Sequence, residues 1–204
     1  MTISTFQVTP FAANCFVIAD EGEALVIDPG EVTEDLARCL REYRVETVVN
    51  THGHCDHCGG NAQVLADTGA RLVIHEQDLP LLRSIQQQGA MFGAPCPASP
   101  EPDGFLQDGD VITAGPLELE VRFAPGHSPG HVVLVGDGLV FTGDVLFAGS
   151  IGRTDLTGGN HQQLLESIRS TLLSLPDETQ VYSGHGPVTT IGAERRGNPF
   201  LVGL

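Results

Sequence analysis

The sequence predicts an α/β fold in which two β-sheets pack face to face and helices cover their outer faces. Each half of the 204-residue chain combines strand-length apolar runs with helical patterns, as expected for such layers. No linker or low-complexity segment divides the sequence, so residues 1–204 are predicted to form one domain. The hydrophobic fraction of 41% supplies enough apolar side chains for a substantial core.

The first half of the chain alternates strands with helices. Short runs rich in β-branched residues predict strands, and turn residues such as Pro10, Gly22 and Gly30 separate them. Apolar residues at helical spacing predict two helices, the second of which ends at Gly69. The predicted strands are residues 3–8, 15–19, 24–27, 45–49 and 72–74, and the predicted helices are residues 33–43 and 61–67.

The second half is richer in strands and begins after an irregular stretch. Residues 84–105 contain many glycines and prolines and predict a helix end followed by a long loop. Such a loop is either a lid over a site or a surface excursion, and the sequence leaves both open. The strands predicted after this loop are residues 117–123, 131–135, 139–142 and 181–183, and the predicted helix is residues 161–173. The strand at residues 181–183 is expected to be the last of the chain.

A dense cluster of metal-ligating residue types follows the fourth predicted strand, in the segment Thr51-His52-Gly53-His54-Cys55-Asp56-His57. His52 and His54 are two residues apart on an extended loop, so both side chains can point the same way. Asp56 and His57 follow at the expected start of a helix. Imidazole and carboxylate groups suit zinc and can also hold iron or manganese.

Three further candidate ligands occur singly, each at a junction of a strand and a turn. His127 lies in Pro125-Gly126-His127-Ser128-Pro129-Gly130, Asp144 in Thr142-Gly143-Asp144 and His185 in Gly184-His185-Gly186. Any one of them alone is more typical of a loop, core or turn residue. Their conjunction with the dense cluster predicts two divalent metal ions, which can generate a hydroxide nucleophile at neutral pH. The remaining histidines, His75, His131 and His161, are expected to be structural.

These motifs resemble those of the metallo-β-lactamase superfamily, as does the turn Ile27-Asp28-Pro29-Gly30. Residues 149–155 and 186–190 resemble the corresponding stretches of small, single-domain hydrolases similar to glyoxalase II. The resemblance covers nearly the whole chain and implies a four-layer αββα sandwich with its site at the sheet edge. It implies one metal ion on His52, His54 and His127, a second on Asp56, His57 and His185, Asp144 bridging them, and Asp28 orienting a ligating imidazole.

The chain also departs from the glyoxalase II pattern. Larger members carry an extra C-terminal helical domain with basic residues that hold glutathione, and we expect no such domain here. Arg153 stands where those enzymes have a substrate-holding lysine, which predicts that it binds an anionic part of the substrate. The alternative for Arg153 is a surface arginine in a salt bridge.

The resulting functional hypothesis is hydrolysis of a thioester, such as S-lactoylglutathione or a related 2-hydroxyacyl thioester, by a metal-bridging hydroxide. Two divalent ions, most simply Zn²⁺, are the expected cofactors, and Asp56 and Asp144 are the predicted catalytic carboxylates. The main alternative is a persulfide dioxygenase with a single iron on His52, His127 and Asp144. Hydrolysis of β-lactams is less favoured, because Asp144 stands where many lactamases use cysteine or serine. A non-enzymatic metal-binding or redox-partner module is a further alternative, which a missing ligand would indicate, and none is missing.

Composition argues against two classes of partner. Ten Lys and Arg residues face 26 Asp and Glu, and the net charge of −16 would repel nucleic-acid backbones. Apolar runs such as residues 132–135 are far shorter than the roughly 18 residues that a membrane span requires. Residues 1–10 lack the features of a signal peptide, so a cytoplasmic location is predicted. The sequence leaves the oligomeric state open.

The cysteines are not expected to form a disulfide framework. Their number, five, is odd, and the chain shows no export signal. Cys55 and Cys58 interlock with the histidine cluster, so we expect them to be small neighbours of the metal site. Zinc ligation or a reversible disulfide by this pair is a minor alternative.

Overall fold

In the computed structural model of the protein, two six-stranded sheets pack face to face between outer layers of helices. The structure describes residues 1–204, apart from the side chain of Ala114. The arrangement is the αββα sandwich that the sequence predicted. Among the helices of the described chain, none has both the length and the apolar character needed to cross a membrane.

The first sheet is built from the first half of the chain, in the spatial order β1 to β6. The first three strands are antiparallel neighbours, and the last three run parallel to β3. Parallel strands place their carboxyl ends at one edge of the sheet. The strands are β1 Thr2–Val8, β2 Ala13–Asp20, β3 Glu23–Ile27, β4 Arg44–Val49, β5 Arg71–His75 and β6 Gly104–Leu106.

The second sheet has the spatial order β14-β13-β10-β9-β8-β7, and a separate hairpin joins β11 to β12. Strands β10 and β13 are parallel, so their carboxyl ends also meet at one edge. The strands are β7 Val111–Ala114, β8 Leu117–Phe123, β9 Val132–Gly136, β10 Leu139–Gly143, β11 Leu146–Phe147, β12 Ser150–Ile151, β13 Gln180–Ser183 and β14 Thr189–Thr190.

The helices are short and lie outside the two sheets or beside the site. The Thr33 hydroxyl caps α1 by accepting a hydrogen bond from the Leu36 amide at 3.2 Å. A π-helical turn, Ile168–Leu172, continues α6. The helices are α1 Glu34–Leu40, α2 Cys55–Cys58, α3 Asn61–Thr68, α4 Leu79–Arg83, α5 Ile85–Met91, α6 His161–Ser167 and α7 Ile191–Gly197, and 3-10 turns span Glu76–Asp78 and Pro199–Leu201.

Three clusters of buried apolar residues hold the layers of the fold together. Strand β2 is almost entirely buried, and its alternate residues belong to different clusters. Phe16 and Ile18 point between the sheets, whereas Cys15, Val17 and Ala19 point towards the helices of the first half. A third cluster joins the outer face of the second sheet to α6. Burial on both faces accounts for the continuous apolar runs of these strands.

Several predicted elements required correction. The helix expected over residues 33–43 ends at Leu40, and the stretch 84–105 contains α5 and β6 as well as irregular chain. The strand at residues 181–183 is not the last, because β14 and α7 follow it. These elements were missed because β14 has only two residues and because α7 is short and contains two glycines, Gly192 and Gly197, which are poor helix formers.

Candidate metal centre

All candidate ligands converge at the edge where the two sheets present their strand ends. His52 to His57 follow β4, His127 precedes β9, Asp144 follows β10, and His185 follows β13. A backbone bridge between Ala13 and His185 joins the edges of the two sheets at this point. The structure therefore brings together all seven residues that the sequence predicted as metal ligands, which are His52, His54, Asp56, His57, His127, Asp144 and His185.

His52, His54 and His127 form the first donor group. The Nδ1 atom of His54 lies 2.9 Å from the Nε2 atom of His127. The His127 Nδ1–H donates to the Arg153 carbonyl at 2.8 Å, so its Nε2 atom carries the free lone pair. The centroid of the His52 ring lies 4.7 Å from the centroid of the His54 ring and 4.8 Å from that of the His127 ring. Three imidazoles thus face one point.

Burial keeps the first group neutral. Loss of solvation lowers the pKa of His54 to about 3 and that of His127 to about 4. The pKa of His52 is also lowered well below its ordinary value, chiefly by burial. Neutral imidazole is the form that binds metals, so this group requires no deprotonation before a cation enters.

Asp56, His57 and His185 form the second donor group, which is more open to solvent. The Asp56 Oδ2 atom lies 3.3 Å from the His185 Nε2 atom and 3.6 Å from the His57 Nε2 atom. The two imidazole Nε2 atoms are 3.3 Å apart. His57 is fully buried, but the side chains of Asp56 and His185 are 18% and 27% exposed.

Asp144 connects the two groups. Its Oδ2 atom lies 3.6 Å from the His127 Nε2 atom of the first group and 3.5 Å from the His185 Nε2 atom of the second. Its Oδ1 atom lies 3.5 Å from the His57 Nε2 atom. A Cβ atom at Gly184 would lie 2.3 Å from this Oδ1 atom, which explains why glycine precedes His185. The geometry suits a carboxylate shared by two cations.

Carboxylates control the charge of His57. Burial opposes protonation of this ring, but Asp56, Asp144 and Asp28 outweigh burial and raise its pKa to about 10. Although burial also opposes ionisation of Asp56, the His57 and His185 rings lower the pKa of that carboxyl below its usual range. In the protein without bound metal, the second group therefore holds a positive imidazolium among carboxylates.

Asp28 orients His57 from behind. Its Oδ2 atom accepts hydrogen bonds from the His57 Nδ1–H at 3.2 Å and from the Thr51 hydroxyl at 2.6 Å, and its Oδ1 atom accepts from the Thr51 amide at 2.8 Å. These bonds direct the His57 Nε2 atom towards the centre. Asp28 has a φ of 53°, an uncommon conformation that Asp adopts more readily than most residues.

Asp78 was not predicted from the sequence and joins the two loops of the first group. Its buried carboxylate accepts hydrogen bonds from the Gly53 amide at 2.8 Å, the Ser128 hydroxyl at 2.6 Å and the Gly130 amide at 2.5 Å. Gly53 separates His52 from His54, and the other two donors follow His127. Asp78 directly precedes a helix beginning Leu-Pro, where aspartate is unremarkable, so no local signal distinguishes it.

Asn14 supports the second donor group, as Asp78 supports the first. Its side-chain amide donates to the Ser183 and Gly186 carbonyls, both at 2.9 Å, on either side of His185. The His185 Nδ1–H donates to the Phe11 carbonyl at 3.2 Å. Asn14 in β2 and Phe11 just before that strand therefore set the position and orientation of His185.

The remaining histidines and the two cysteines Cys55 and Cys58 do not join the donor groups. The His131 Nε2 atom accepts a hydrogen bond from the Asp144 amide at 3.0 Å, and its ring stacks on His52. The His75 ring stacks on Phe123, and His161 begins α6. The Cys58 thiol donates to the His52 carbonyl at 3.2 Å, and Cys55 is buried at the start of α2.

A cavity of about 330 Å³ opens onto the donor groups. Arg153 lies on its wall and also forms a bidentate ion pair with Asp155, both contacts being 2.7 Å, so both interpretations of this arginine from the sequence stay open. Gln88 reaches the cavity from α5 and accepts a hydrogen bond from the Cys55 amide at 3.0 Å. The apolar lining side chains are Phe11, Phe92, Phe147, Ile151 and Leu156.

Two buried polar atoms test whether metal ions fit this centre. The His52 Nε2 atom and the Asp144 Oδ1 atom have no hydrogen-bond partner among the described residues. Leaving such atoms unpaired destabilises a folded protein, by about 1–3 kcal/mol each. Cations held by these imidazoles and this carboxylate would give both atoms a partner, and imidazole with carboxylate is a common donor set for zinc, iron and manganese. The residues fit two metal ions.

Comparison with known proteins identifies the family. The model of the metallo-β-lactamase superfamily matches residues 8–185, and this span contains all seven candidate ligands. The chain belongs to the metallo-β-lactamase superfamily. Within this superfamily, hydroxyacylglutathione hydrolase GloC of Haemophilus influenzae is 39% identical over 208 residues, which cover 98% of each chain.

Solved structures of the superfamily are similar over nearly the whole chain. The BLEG-1 B3 metallo-β-lactamase is 35% identical with a TM-score of 0.92, covering 99% of this chain and 100% of that one. TTHA1623 in a di-iron-bound form is 36% identical with a TM-score of 0.90, covering 97% and 100%. ETHE1 from Myxococcus xanthus is 30% identical with a TM-score of 0.79, covering 98% and 84%. The His/Asp cluster and the di-iron-bound relative together support a dinuclear metal centre.

Proposed function

We propose that this member of the superfamily hydrolyses thioesters of 2-hydroxy acids, such as S-lactoylglutathione, with two divalent metal ions, most simply Zn²⁺. The observation that carries the proposal is the convergence of seven donors into two groups that share Asp144. The similarity to a hydroxyacylglutathione hydrolase over the full chain supports the choice of substrate class.

His52, His54 and His127 would hold one ion, Asp56, His57 and His185 the other, and Asp144 would contact both. When bound, two such ions supply a hydroxide nucleophile at neutral pH and stabilise negative charge on the attacked carbonyl oxygen. The protein orients these donors through Asp28, Asp78 and Asn14, which bond to the ligands or to the loops that carry them.

Other residues of the site act on the substrate and the water. Asp56 is ionised and partly exposed, so it can accept a hydrogen bond from an attacking water. Arg153 lines the cavity and is the proposed contact for a polar part of the substrate. A thiolate leaves readily, so no strong general acid is required. The apolar side chains of the cavity exclude bulk water from the reacting carbonyl.

Hydrolysis of S-lactoylglutathione by the zinc-loaded protein tests the proposal. His54→Ala and Asp144→Ala should lose at least 100-fold in kcat/KM, because each removes a metal donor. His161→Ala is the matched control, since His161 is exposed at the start of α6, and it should retain wild-type activity. Equal activity in all four proteins, or no cleavage of any thioester, would overturn the proposal. Nitrocefin should be cleaved poorly by comparison.

A persulfide dioxygenase with a single iron is the second candidate. The similarity to ETHE1 favours it. The second donor group argues for the hydrolase instead, because a single iron on His52, His127 and Asp144 would leave Asp56, His57 and His185 without a role. Oxygen consumption with glutathione persulfide and one bound iron per chain would support the dioxygenase.

The partners and location of the protein remain proposals. A small-molecule substrate is supported by the cavity beside the donor groups and by the GloC relative. The absence of nucleic-acid partners, the cytoplasmic location and the single-domain organisation stay predictions from the sequence.

A further inference from the structure

Helix α2 begins at a residue whose side chain does not cap it. The N-cap position is His54, and its side chain forms no hydrogen bond to the amides of the helix. Its Nδ1 atom lies 2.9 Å from the His127 Nε2 atom, within the first donor group. The first amides of a helix have no partner inside the helix, and the N-cap side chain commonly supplies one. Because His54 is directed to the donor group, α2 needs an acceptor from another element.

Gln88 of α5 supplies that acceptor. Its Oε1 atom accepts a hydrogen bond from the Cys55 amide at 3.0 Å. Its Nε2 atom donates to the Gly53 carbonyl, 3.2 Å away. These two groups belong to the two peptide units on either side of the His54 Cα atom. One side chain therefore holds the backbone on both sides of a predicted metal ligand.

The side-chain amide of Gln88 is occupied by protein groups. Its Nε2 atom carries two hydrogens and lies within reach of three acceptors. These are the Gly53 carbonyl, the Leu81 carbonyl at 2.9 Å and the Ser84 hydroxyl at 3.2 Å. Although Gln88 lines the cavity, its amide hydrogens are directed to these acceptors, so the geometry fits a positioning role rather than a contact with the substrate.

The segment that carries His54 lies close against α4. A Cβ atom at Gly53 would lie 2.7 Å from the Leu81 Cβ atom and 2.8 Å from the Asp78 carbonyl oxygen. The Asp78 carboxylate accepts a hydrogen bond from the Gly53 amide, and Gln88 donates to the Gly53 carbonyl. The two side chains thus hold opposite ends of Gly53. Of the two, only Gln88 also bonds to the residue that follows His54.

We propose that Gln88 is a positioning residue for the first metal ion, because it fixes the backbone on both sides of His54 and thereby the direction of that imidazole. The proposal rests on the two-metal centre of the proposed function but not on the choice of thioester. It gives α5, which contributes no metal ligand, a part in the metal centre.

The zinc affinity of full-length variants tests the proposal without turnover. Gln88→Met keeps the length of the side chain and removes both hydrogen bonds. Gln86→Met is the matched control, because Gln86 is exposed on the same helix and is not among the described lining residues of the cavity. Titration of the zinc-loaded proteins with a competing chelator should show, for Gln88→Met alone, a loss of about tenfold in the tighter binding step, which we assign to the buried first group. An unchanged tighter step, or weakening of the other step only, would overturn the proposal.

Amide hydrogen exchange separates the two hydrogen bonds of Gln88. Gln88→Glu keeps an acceptor for the Cys55 amide, but an ionised carboxylate has no hydrogen to donate to the Gly53 carbonyl. In the zinc-loaded proteins, the Cys55 amide should exchange about tenfold faster in Gln88→Met and at close to the wild-type rate in Gln88→Glu. Equal exchange rates in the wild type and in Gln88→Met would show that Gln88 does not hold this segment, and the proposal would fail.

Kinetic constants separate positioning from substrate contact. With S-lactoylglutathione and saturating zinc, Gln88→Met should lower kcat about three- to tenfold and leave KM within about twofold, because Gln88 acts through His54. A higher KM with an unchanged kcat would make Gln88 a substrate contact and contradict the inference. If no thioester is cleaved, the proposed hydrolysis fails, whereas zinc affinity and amide exchange still decide the role of Gln88.

Discussion

The two donor groups of the centre differ in burial, charge and support. The first consists of three buried imidazoles that burial keeps neutral. The second contains a carboxylate, is partly exposed, and has a protonated His57 when no metal is bound. The first group is therefore prepared for a cation, whereas the second must release a proton before His57 can bind one.

The supports of the two groups differ as well. Asp78 joins the two loops of the first group through three hydrogen bonds to one carboxylate. The second group depends on Asn14, which lies in β2, and on Asp28, which directly follows β3 of the same sheet. Metal affinity at the two groups should therefore respond to different substitutions, and Asp144 alone should affect both.

Asp144→Asn should have the largest effect, because it weakens the carboxylate that the two groups share. We expect kcat/KM to fall about 100- to 1,000-fold and the zinc content to fall from two ions per chain. The metal content of the purified protein and its rate with a lactoyl thioester measure this. Loss of activity with two ions still bound at full affinity would show that Asp144 does not join the groups.

Asp78→Asn should weaken the first group more than the second. The substitution removes the negative charge that three buried donors share, and we expect about a 10- to 100-fold loss of metal affinity there. Absorption spectra recorded during titration with Co²⁺ report the ligand geometry at each binding step. Urea unfolding shows whether a loss of affinity comes from a loss of stability. Asp110→Asn is the matched control, since Asp110 is exposed and accepts one amide bond in a turn. Equal weakening of both binding steps would contradict the role assigned to Asp78.

Asn14→Ala should have a smaller effect, confined to the second group. The Ser183 and Gly186 carbonyls would lose their donor, and His185 would be held less firmly. We expect about a tenfold loss of affinity in the weaker binding step only. Calorimetric titration with zinc resolves the two binding steps. A loss of affinity in the tighter step would show that Asn14 does not act on the second group alone.

The last prediction concerns stability rather than activity or metal affinity, through its pH dependence in the metal-free protein. His54 and His127 have lowered pKa values of about 3 and 4, so below about pH 6.5 the unfolded chain binds protons that the folded protein excludes. Stability should fall as the pH drops below 6.5, by up to about 1.4 kcal/mol per pH unit for each such histidine. His57 is protonated in both states in that range, and the stability it contributes is lost only as the pH rises towards 10.

Urea unfolding of the EDTA-treated protein between about pH 4.5 and 7 measures this slope. His54→Gln should flatten it. The same slope in this variant and in the wild type would mean that His54 is not held neutral by burial.

The strands and metal ligands that short sequence patterns specify were predicted from the sequence. Strands β2, β3 and β4 were predicted because β-branched runs between turn residues leave few alternatives. The ligands were predicted because each lies in a short motif at a strand end. Of the supporting residues, Asp28 was predicted from the resemblance, whereas Asp78 and Asn14 were missed. Their contacts are distant along the chain: Asp78 and Ser128 are 50 residues apart, and Asn14 and Ser183 are 169 residues apart. Such contacts depend on the packing of two sheets, which no local pattern specifies.

Anomalous diffraction at the zinc edge, from crystals of the zinc-loaded protein, tests the dinuclear centre most directly. Two peaks are predicted, one within coordination distance of His52, His54 and His127 and the other within that distance of Asp56, His57 and His185, with Asp144 contacting both. A single peak, with His57 and His185 directed away from it, would contradict the account.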